Sequence, residues 1–282
     1  MEEKKKKRLQ EAATGLRSDI IEMLCLAGSG HPGGALSMSD VFAYLYFGDI
    51  LNIDPKNPKK KDRDRLVLSK GHVCPVLYAA LARKGYFDRS HLNTLRKFGS
   101  ILQGHPDMHK TPGVDISTGS LGQGLSCAVG MALGAKLDRQ SLKVFAVLGD
   151  GECNEGQVWE AAMSAAHYSL DNLIAIVDKN GLQIDGYTKD IMNSEPMADK
   201  WKAFGWEVYG IDGHDFGQIE DAVQKAIKFN RGPAAIIADT VKGKGVGFME
   251  GVCDWHGQAP SEQEKEQALQ CLKGFKTEQN NG

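Results

Sequence analysis

The sequence lacks several features that would assign it to a broad class of protein. No apolar run in its 282 residues is long enough to span a membrane, and no hydrophobic segment typical of a signal peptide is present. Its six cysteines are scattered without close pairs, which favours free thiols in a cytoplasmic protein over disulfides or a zinc site. Acidic and basic residues nearly balance, with a formal net charge of −2, so nothing indicates binding to nucleic acid.

Short apolar runs alternate with amphipathic segments along most of the chain. The apolar runs predict strands at 66–68, 144–148, 173–177, 207–211 and 234–240. The periodic segments predict helices at 5–27, 41–47, 76–84, 90–99, 121–137, 157–168, 198–204 and 216–229, with a final helix after the capping box Ser261-x-x-Glu264. This alternation predicts an α/β fold with a mainly parallel sheet flanked by helices on both faces. With no repeat or linker, 1–282 is predicted as one domain with a frayed polar tail at about 277–282.

Two acidic turns follow neighbouring predicted strands. Gly149-Asp150-Gly151 comes after the strand at 144–148, and Asp178-Lys179-Asn180 comes after the strand at 173–177. The carboxyl ends of adjacent parallel strands lie side by side, so Asp150 and Asn180 should offer two oxygens to a hard cation beside a helix N-terminus that favours phosphate. The pair predicts a magnesium–diphosphate site, although each turn by itself is also an ordinary way to end a buried strand.

Histidine and glycine cluster in the segments predicted as loops. Four of the eight histidines stand beside a glycine, namely His31, His72, His105 and His256. Such histidines are poorly placed for core packing, yet any one of them can simply cap a turn or face solvent. The segment 119–124 (GSLGQG) can cradle a phosphate, although glycine-rich turns before helices are common.

These segments resemble, in order along nearly the whole chain, the motifs of the transketolase family. Asp150 and Asn180 match its GDG…N motif for thiamine diphosphate (ThDP), and the four histidine segments match family histidines. The stretch 117–124 is similar to the family's TTGPLGQG, with Ser117 in place of the first Thr and Ser120 in place of the Pro. Cys74 stands where the family often has Ser or Ala.

The resemblance implies a role for each matching residue. Mg²⁺ would be held by the side chains of Asp150 and Asn180 and by the backbone carbonyl of Leu182. The histidines that bind the donor and move protons would be His31, His72, His105 and His256. The residues that contact ThDP would be His72, Gly119, Leu121, Gly151, Glu155, Asn180, Lys242 and His256. For Lys242, a solvated loop lysine is the competing interpretation, and His214 is interpreted as structural.

The resemblance also implies a partner. In this family the carboxylate that activates the cofactor belongs to a second, pyrimidine-binding domain, which follows the diphosphate domain and which this sequence does not reach. We therefore expect the N-terminal subunit of a split transketolase, assembled as α2β2 with a C-terminal partner and moving a two-carbon ketol unit between sugar phosphates. The alternatives are one chain of a 2-oxo acid dehydrogenase, a deoxyxylulose-phosphate-type synthase, or a binding paralogue that has lost the chemistry.

Overall fold

The structure is a computed structural model that describes residues 1–279. Its strands are β1 (Arg65–Leu68), β2 (Val144–Gly149), β3 (Leu173–Lys179), β4 (Leu182–Gln183), β5 (Gly186–Tyr187), β6 (Glu207–Asp212) and β7 (Ala234–Asp239). Its α-helices are α1 (Glu3–Ala27), α2 (Pro32–Ser37), α3 (Ser39–Phe47), α4 (Cys74–Lys84), α5 (Gln123–Leu137), α6 (Gly156–His167), α7 (Thr188–Ile191), α8 (Met197–Ala203), α9 (Phe216–Lys228) and α10 (Glu262–Gln279). Short 3-10 helices lie at Gly71–Val73, Arg89–Thr94, Glu152–Asn154 and Cys253–His256.

Five of the strands form one parallel sheet in the order β1-β2-β3-β7-β6. Successive side chains of β2 enter two different cores, because residues along a strand alternate between the faces of a sheet. Phe145 and Val147 pack in the core built with α1, α3, α4 and α9, whereas Ala146 and Leu148 pack in the core built with α5, α6 and α8. The predicted α/β class, with helices on both faces of a parallel sheet, is confirmed.

The structure departs from the sequence prediction at a few local elements. A short helix, α2, begins at Pro32, between the helices predicted at 5–27 and 41–47, which fits the preference of proline for a first helical turn. The helix expected at 90–99 is a 3-10 helix that ends at Thr94. The hairpin β4–β5 and helix α7 were not predicted, because each is too short to show a hydrophobic period.

The structure also bears on the predictions for the C-terminal tail, for membrane-spanning segments and for the cysteines. Of the polar tail expected at 277–282, residues 277–279 belong to α10 and the remainder lies outside the described residues. Within residues 1–279, no helix is long and apolar enough to cross a membrane. All six cysteines are free thiols.

Candidate active site

A cavity of about 550 Å³ opens at the carboxyl ends of β1, β2 and β3. Ligands of open α/β sheets bind at this edge, where loops from several strands converge. The cavity is lined by every site residue predicted from the sequence, namely His31, His72, His105, Gly119, Leu121, Asp150, Gly151, Glu155, Asn180, Leu182, Lys242 and His256. The fold therefore collects in one place residues that span most of the chain.

Asp150 and Asn180 lie together because their strands are paired. β2 and β3 run parallel with Gly149 opposite Asp178, so the residues that follow each strand are neighbours. The two carboxylate oxygens of Asp150 accept hydrogen bonds from the amides of Gly151 (2.8 Å) and Gly181 (2.7 Å). The side chain is 2% exposed. Burial and the nearby charge of Asp178 raise the pKa of Asp150 to about 6, so a cation bound beside this carboxylate would stabilise its charge.

The donors around Asp150 have the chemistry of an oxygen-ligand cation site. The side-chain oxygen of Asn180 accepts the amide hydrogen of Leu182 at 3.1 Å, which fixes the amide oxygen on the cavity side of the turn. Within the described chain, no cluster of three or more His, Cys, Asp or Glu residues can hold a metal. Separately, Asp150 offers a carboxylate, Asn180 an amide oxygen and Leu182 a backbone carbonyl, and such a donor set would suit Mg²⁺ if a phosphate supplied the remaining charge.

A buried ion pair between Lys70 and Asp178 holds the side chain of Asn180. Asp178 is fully buried and pairs with the ammonium of Lys70, and it also accepts hydrogen bonds from Ser37 (2.6 Å), Thr240 and the side-chain amide of Asn180 (3.0 Å). Burial opposes ionisation, but the Lys70 ammonium and these hydrogen bonds hold the pKa of Asp178 below its usual range. Sequence reasoning missed this pair, although both residues stood inside the motifs that it used.

Glu152 lines the cavity, and its carboxylate connects three loops. Its carboxylate accepts hydrogen bonds from the Ser69 hydroxyl (2.5 Å), the Gly122 amide (2.9 Å) and the Gly149 amide (3.1 Å). A Cβ on Gly124 would lie 2.5 Å from Ser69. The close approach of the glycine-rich segment to this loop therefore requires glycine at position 124. Sequence reasoning also missed Glu152, whose position directly after Gly151 was the available signal.

Three of the four predicted histidines are in mutual contact. The ring centroids of His31, His72 and His256 lie 5.2 to 5.5 Å apart. Burial, followed by nearby cations, lowers the pKa of His72 to about 2, of His256 to about 3 and of His31 to about 4. At neutral pH these rings are therefore uncharged, with one nitrogen to donate and one to accept a hydrogen bond. The buried Nδ1 of His31 has no hydrogen-bond partner among residues 1–279.

His105 also lines the cavity and lies beside the glycine-rich turn. A Cβ on Gly119 would come within 3.2 Å of its ring, so the turn packs closely against the imidazole. Burial and then the charge of Arg96 lower the pKa of His105 as well. All four predicted histidines therefore line the same cavity.

Lys242 brings a buried positive charge to the same cavity. It is 3% exposed, so the alternative of a solvated loop lysine is wrong. Its Nζ lies 2.8 Å from Nδ1 of His256 and 3.5 Å from the carbonyl oxygen of Leu182. Burial lowers the pKa of Lys242 to about 8. The ammonium therefore faces the carbonyl that the sequence motif assigns to the metal.

Comparison with known proteins identifies the family. Residues 6–280 match the family profile described as transketolase, thiamine diphosphate binding domain. The chain belongs to the transketolase family. The resemblance drawn from the acidic turns and the histidine segments is therefore confirmed.

Two curated transketolase subunits are similar over most of their length. The 6-deoxy-6-sulfo-D-fructose transketolase subunit SqwG of Clostridium sp. (strain MSTE9) is 49% identical over 255 residues, which are 90% of this chain and 92% of that protein. An apulose-4-phosphate transketolase subunit of Phocaeicola vulgatus is 44% identical over 253 residues, which are 90% of this chain and 89% of that protein. Among solved structures, transketolase from Campylobacter jejuni superposes with a TM-score of 0.82 at 32% identity. The match covers 100% of this chain but 48% of the solved one, so this transketolase chain spans about half of that enzyme's length.

The cavity of this transketolase chain fits the diphosphate end of ThDP with Mg²⁺. Asp150, Asn180 and Leu182 provide hard oxygen donors, and Lys242 provides a cation for a phosphate. In the described part of the chain, the buried Nε2 of Gln183 has no hydrogen-bond partner, nor has Nδ1 of His31, and both residues line the cavity. Buried polar atoms without partners are costly in a folded protein, so both nitrogens are suited to contact a ligand.

Proposed function

We propose that this chain is the N-terminal, diphosphate-binding subunit of a ThDP- and Mg²⁺-dependent transketolase. Together with a C-terminal partner subunit it transfers a two-carbon ketol (glycolaldehyde) unit from a ketose phosphate to an aldose phosphate. The observation that carries the proposal is the cavity that joins the Asp150–Asn180 pair to four histidines. An enzyme that binds a diphosphate through a metal ion and also handles sugar hydroxyls would use both groups of residues.

The proposed contacts follow from chemistry and burial. Asp150, Asn180 and the carbonyl of Leu182 hold Mg²⁺, while Lys242 neutralises diphosphate charge. The remaining proposed cofactor contacts are His72, Gly119, Leu121, Gly151, Glu155 and His256. Glu155 is exposed at the cavity rim, which suits an additional role at the interface with a partner chain.

When bound, ThDP supplies the carbanion-stabilising chemistry that neither carboxylates nor imidazoles provide. The side chains of this chain bind, orient and exchange protons. Neutral His31, His72, His105 and His256 accept or donate single hydrogen bonds to sugar hydroxyls and can pass a proton between substrate and solvent. A charged imidazole would serve less well, because it has no lone pair left to accept a hydroxyl hydrogen.

A partner chain is part of the proposal. The two similar curated proteins are named as transketolase subunits, and the solved transketolase is about twice as long as this chain. We infer that the partner contributes the pyrimidine-binding domain and that the assembly is α2β2. A cytoplasmic location, for which six free thiols are the only support, belongs to the same proposal.

The decisive assay uses the complete complex. Coexpression with a candidate C-terminal partner should yield an enzyme that transfers glycolaldehyde between sugars when ThDP and Mg²⁺ are present. The ketol donors tested in this assay should include 6-deoxy-6-sulfo-D-fructose and apulose 4-phosphate, which appear in the names of the two relatives, together with common ketose phosphates. A complex that binds ThDP but only decarboxylates 2-oxo acids would refute the ketol transfer. A complex that binds ThDP without any turnover would favour a binding paralogue.

The metal assignment is tested by Asp150→Ala in the same complex. The variant should lose Mg²⁺-dependent ThDP binding, with a dissociation constant raised at least about a hundredfold, because the metal loses its only charged protein ligand. Isothermal titration with and without Mg²⁺ measures the loss. Asp190→Ala, which removes an exposed carboxylate from the nearby helix α7, is the matched control and should bind normally. Unchanged cofactor affinity in Asp150→Ala would disprove the assignment.

A further inference from the structure

A network of charged and polar side chains outside the cavity joins α1, α3 and the loop between β6 and α9. Arg17 of α1 donates two hydrogen bonds to the carboxylate of Asp40 in α3, at 3.0 and 2.6 Å. Oδ2 of Asp40 also lies 2.7 Å from Nδ1 of His214, in the loop between β6 and α9. Arg17 is 0% exposed and Asp40 is 2% exposed. None of these three residues lines the cavity, so the site described above does not account for them.

This network makes hydrogen bonds to the backbone of the loop that carries Lys242. Nε2 of His214 accepts the amide hydrogen of Val241 at 2.9 Å, just before Lys242. Nε of Arg17 donates to the carbonyl oxygen of Lys244 at 3.0 Å, two residues after it. Because Nε2 of His214 accepts a hydrogen, the ring proton must be on Nδ1, where it is donated to Asp40. The network thus fixes the tautomer of the histidine that holds the loop.

A third contact holds the same loop against the histidine segment at 30–34. The amide of Gly243 donates to the carbonyl of Gly33 at 3.0 Å. A Cβ on Gly33 would lie 2.9 Å from Cγ of Lys242, so the lysine side chain runs directly over that glycine toward the cavity. Three backbone anchors within four residues therefore fix the backbone on both sides of Lys242, whose Nζ lies between His256 and the Leu182 carbonyl.

We propose that Arg17, Asp40 and His214 are positioning residues that aim Lys242 at the cofactor diphosphate. The inference rests on the proposed function, since the diphosphate is its target. It assigns a role to an ion pair that does not line the cavity, and it gives a reason for a buried charge pair, whose desolvation offsets much of its attraction, to adjoin this loop. Preorganisation of Lys242 would spare the binding step the cost of ordering a long side chain.

The test removes the histidine anchor and asks whether the effect passes through Lys242. His214→Phe keeps a ring of similar size but cannot accept from Val241 or donate to Asp40. In the complex it should raise the dissociation constant of ThDP–Mg²⁺ about tenfold, while kcat at saturating cofactor changes less than about twofold. In a double-mutant cycle with Lys242→Met, the two substitutions should be strongly non-additive, so that His214→Phe adds almost nothing once the ammonium is gone.

Two further variants separate positioning from general stability. His214→Gln retains an amide oxygen that can accept from Val241, and it should recover most of the affinity, whereas His214→Asn reaches only Asp40 and should not. If the phenylalanine variant does not fold, the glutamine–asparagine pair carries the test alone. His109→Phe, at an exposed position, is the matched control. Additive effects in the cycle, or normal affinity in folded His214→Phe and His214→Asn, would overturn the proposal.

A cofactor-free readout distinguishes this inference from the proposed function. In a crystal structure of the unliganded His214→Phe chain, Nζ of Lys242 should no longer lie within hydrogen-bond distance of His256, against 2.8 Å here. If the unsubstituted complex bound no ThDP, the proposed function would fail while a displaced Lys242 would still support the positioning role. If it bound ThDP and Lys242 stayed in place in the variant, only the positioning role would be lost.

Discussion

Asp40 holds its negative charge at a position that water hardly reaches. Burial by itself would raise the pKa of this carboxyl, but the Arg17 guanidinium and the hydrogen bond from His214 outweigh it and lower the pKa to about 2. In the unfolded chain an aspartate titrates near 3.9. Between these values the unfolded state binds more protons than the folded state does. The stability that Asp40 contributes is therefore complete above about pH 4 and is lost as the pH falls toward 2.

We expect Asp40→Asn to change both the size and the pH dependence of stability. The asparagine leaves the guanidinium of Arg17 without its buried counter-ion, which should lower the free energy of unfolding by about 3 to 5 kcal/mol at pH 7. The acid-dependent loss of about 2 to 3 kcal/mol that Asp40 causes below pH 4 should disappear. Urea unfolding at a series of pH values measures both effects, with Asp62→Asn at an exposed position as the control. An unchanged acid slope in Asp40→Asn would contradict the pKa assignment.

At the scale of single residues, the sequence predicted the site residues that belong to a short motif. It did not predict those whose role depends on a partner far along the chain. Asp150, Asn180 and the four histidines carried their signal in short motifs, and all of them reached the cavity. Lys70 and Asp178 stood in the same motifs, but they are 108 positions apart in the sequence and their importance arises only when the fold brings them into contact. A buried ion pair of this kind has no local pattern, because each partner alone resembles an ordinary loop residue.

At the scale of elements, Glu152 connects the ends of two strands to the start of a helix. Its carboxylate accepts from Ser69 after β1, from Gly149 at the end of β2 and from Gly122 before α5. Burial raises the pKa of Glu152, and the three donors act against that rise. This carboxylate therefore helps to hold the glycine-rich turn in place relative to Asp150.

Glu152→Gln tests that dependence. A glutamine amide has one acceptor oxygen in place of two, so at least one of the Gly122 and Gly149 amides would lose its partner at a cost of about 1 to 3 kcal/mol in the free energy of unfolding. We also expect ThDP affinity in the complex to fall about tenfold, because the turn that packs against His105 would shift. Chemical unfolding and calorimetric titration give the two quantities. Glu160→Gln, on the exposed face of α6, should change neither, and a Glu152→Gln variant that matched it would argue against the linking role.

Elements with their own signals were predicted well, and those defined by contacts were not. The capping box at Ser261 forms as expected, with its amide and hydroxyl donating to Glu264 at 2.8 and 2.7 Å. Helix α2 and the hairpin β4–β5 were missed, since neither is long enough for a period of side chains to appear. Their bounds depend on packing around the cavity, which the sequence alone does not give.

At the scale of the whole molecule, the sequence predicts the layers but leaves the strand order open. Alternating strands and helices imply a parallel sheet covered on both faces, and the structure has that architecture. The sheet places β7 between β3 and β6, so the last strand in sequence is an interior one. Any connection long enough for a crossover permits several such orders, and only the fit of the two cores selects among them.

At the scale of the whole molecule, the proposed division of the active site between two polypeptides predicts different responses to cofactor for the complex and for the isolated chain. A ligand that binds only the folded state at about a thousand times its dissociation constant stabilises that state by about 4 kcal/mol. Saturating ThDP with Mg²⁺ should therefore raise the melting temperature of the complex by several degrees, and chelating the metal should abolish the rise. In the proposed assembly the pyrimidine ring binds to the partner subunit, so the isolated chain should show a much smaller shift. Differential scanning fluorimetry of both samples at equal chain concentration makes the comparison, with Asp150→Ala as the non-binding control. An isolated chain that responded as strongly as the complex would mean that this subunit binds the whole cofactor by itself, and the proposed division of the site would be wrong.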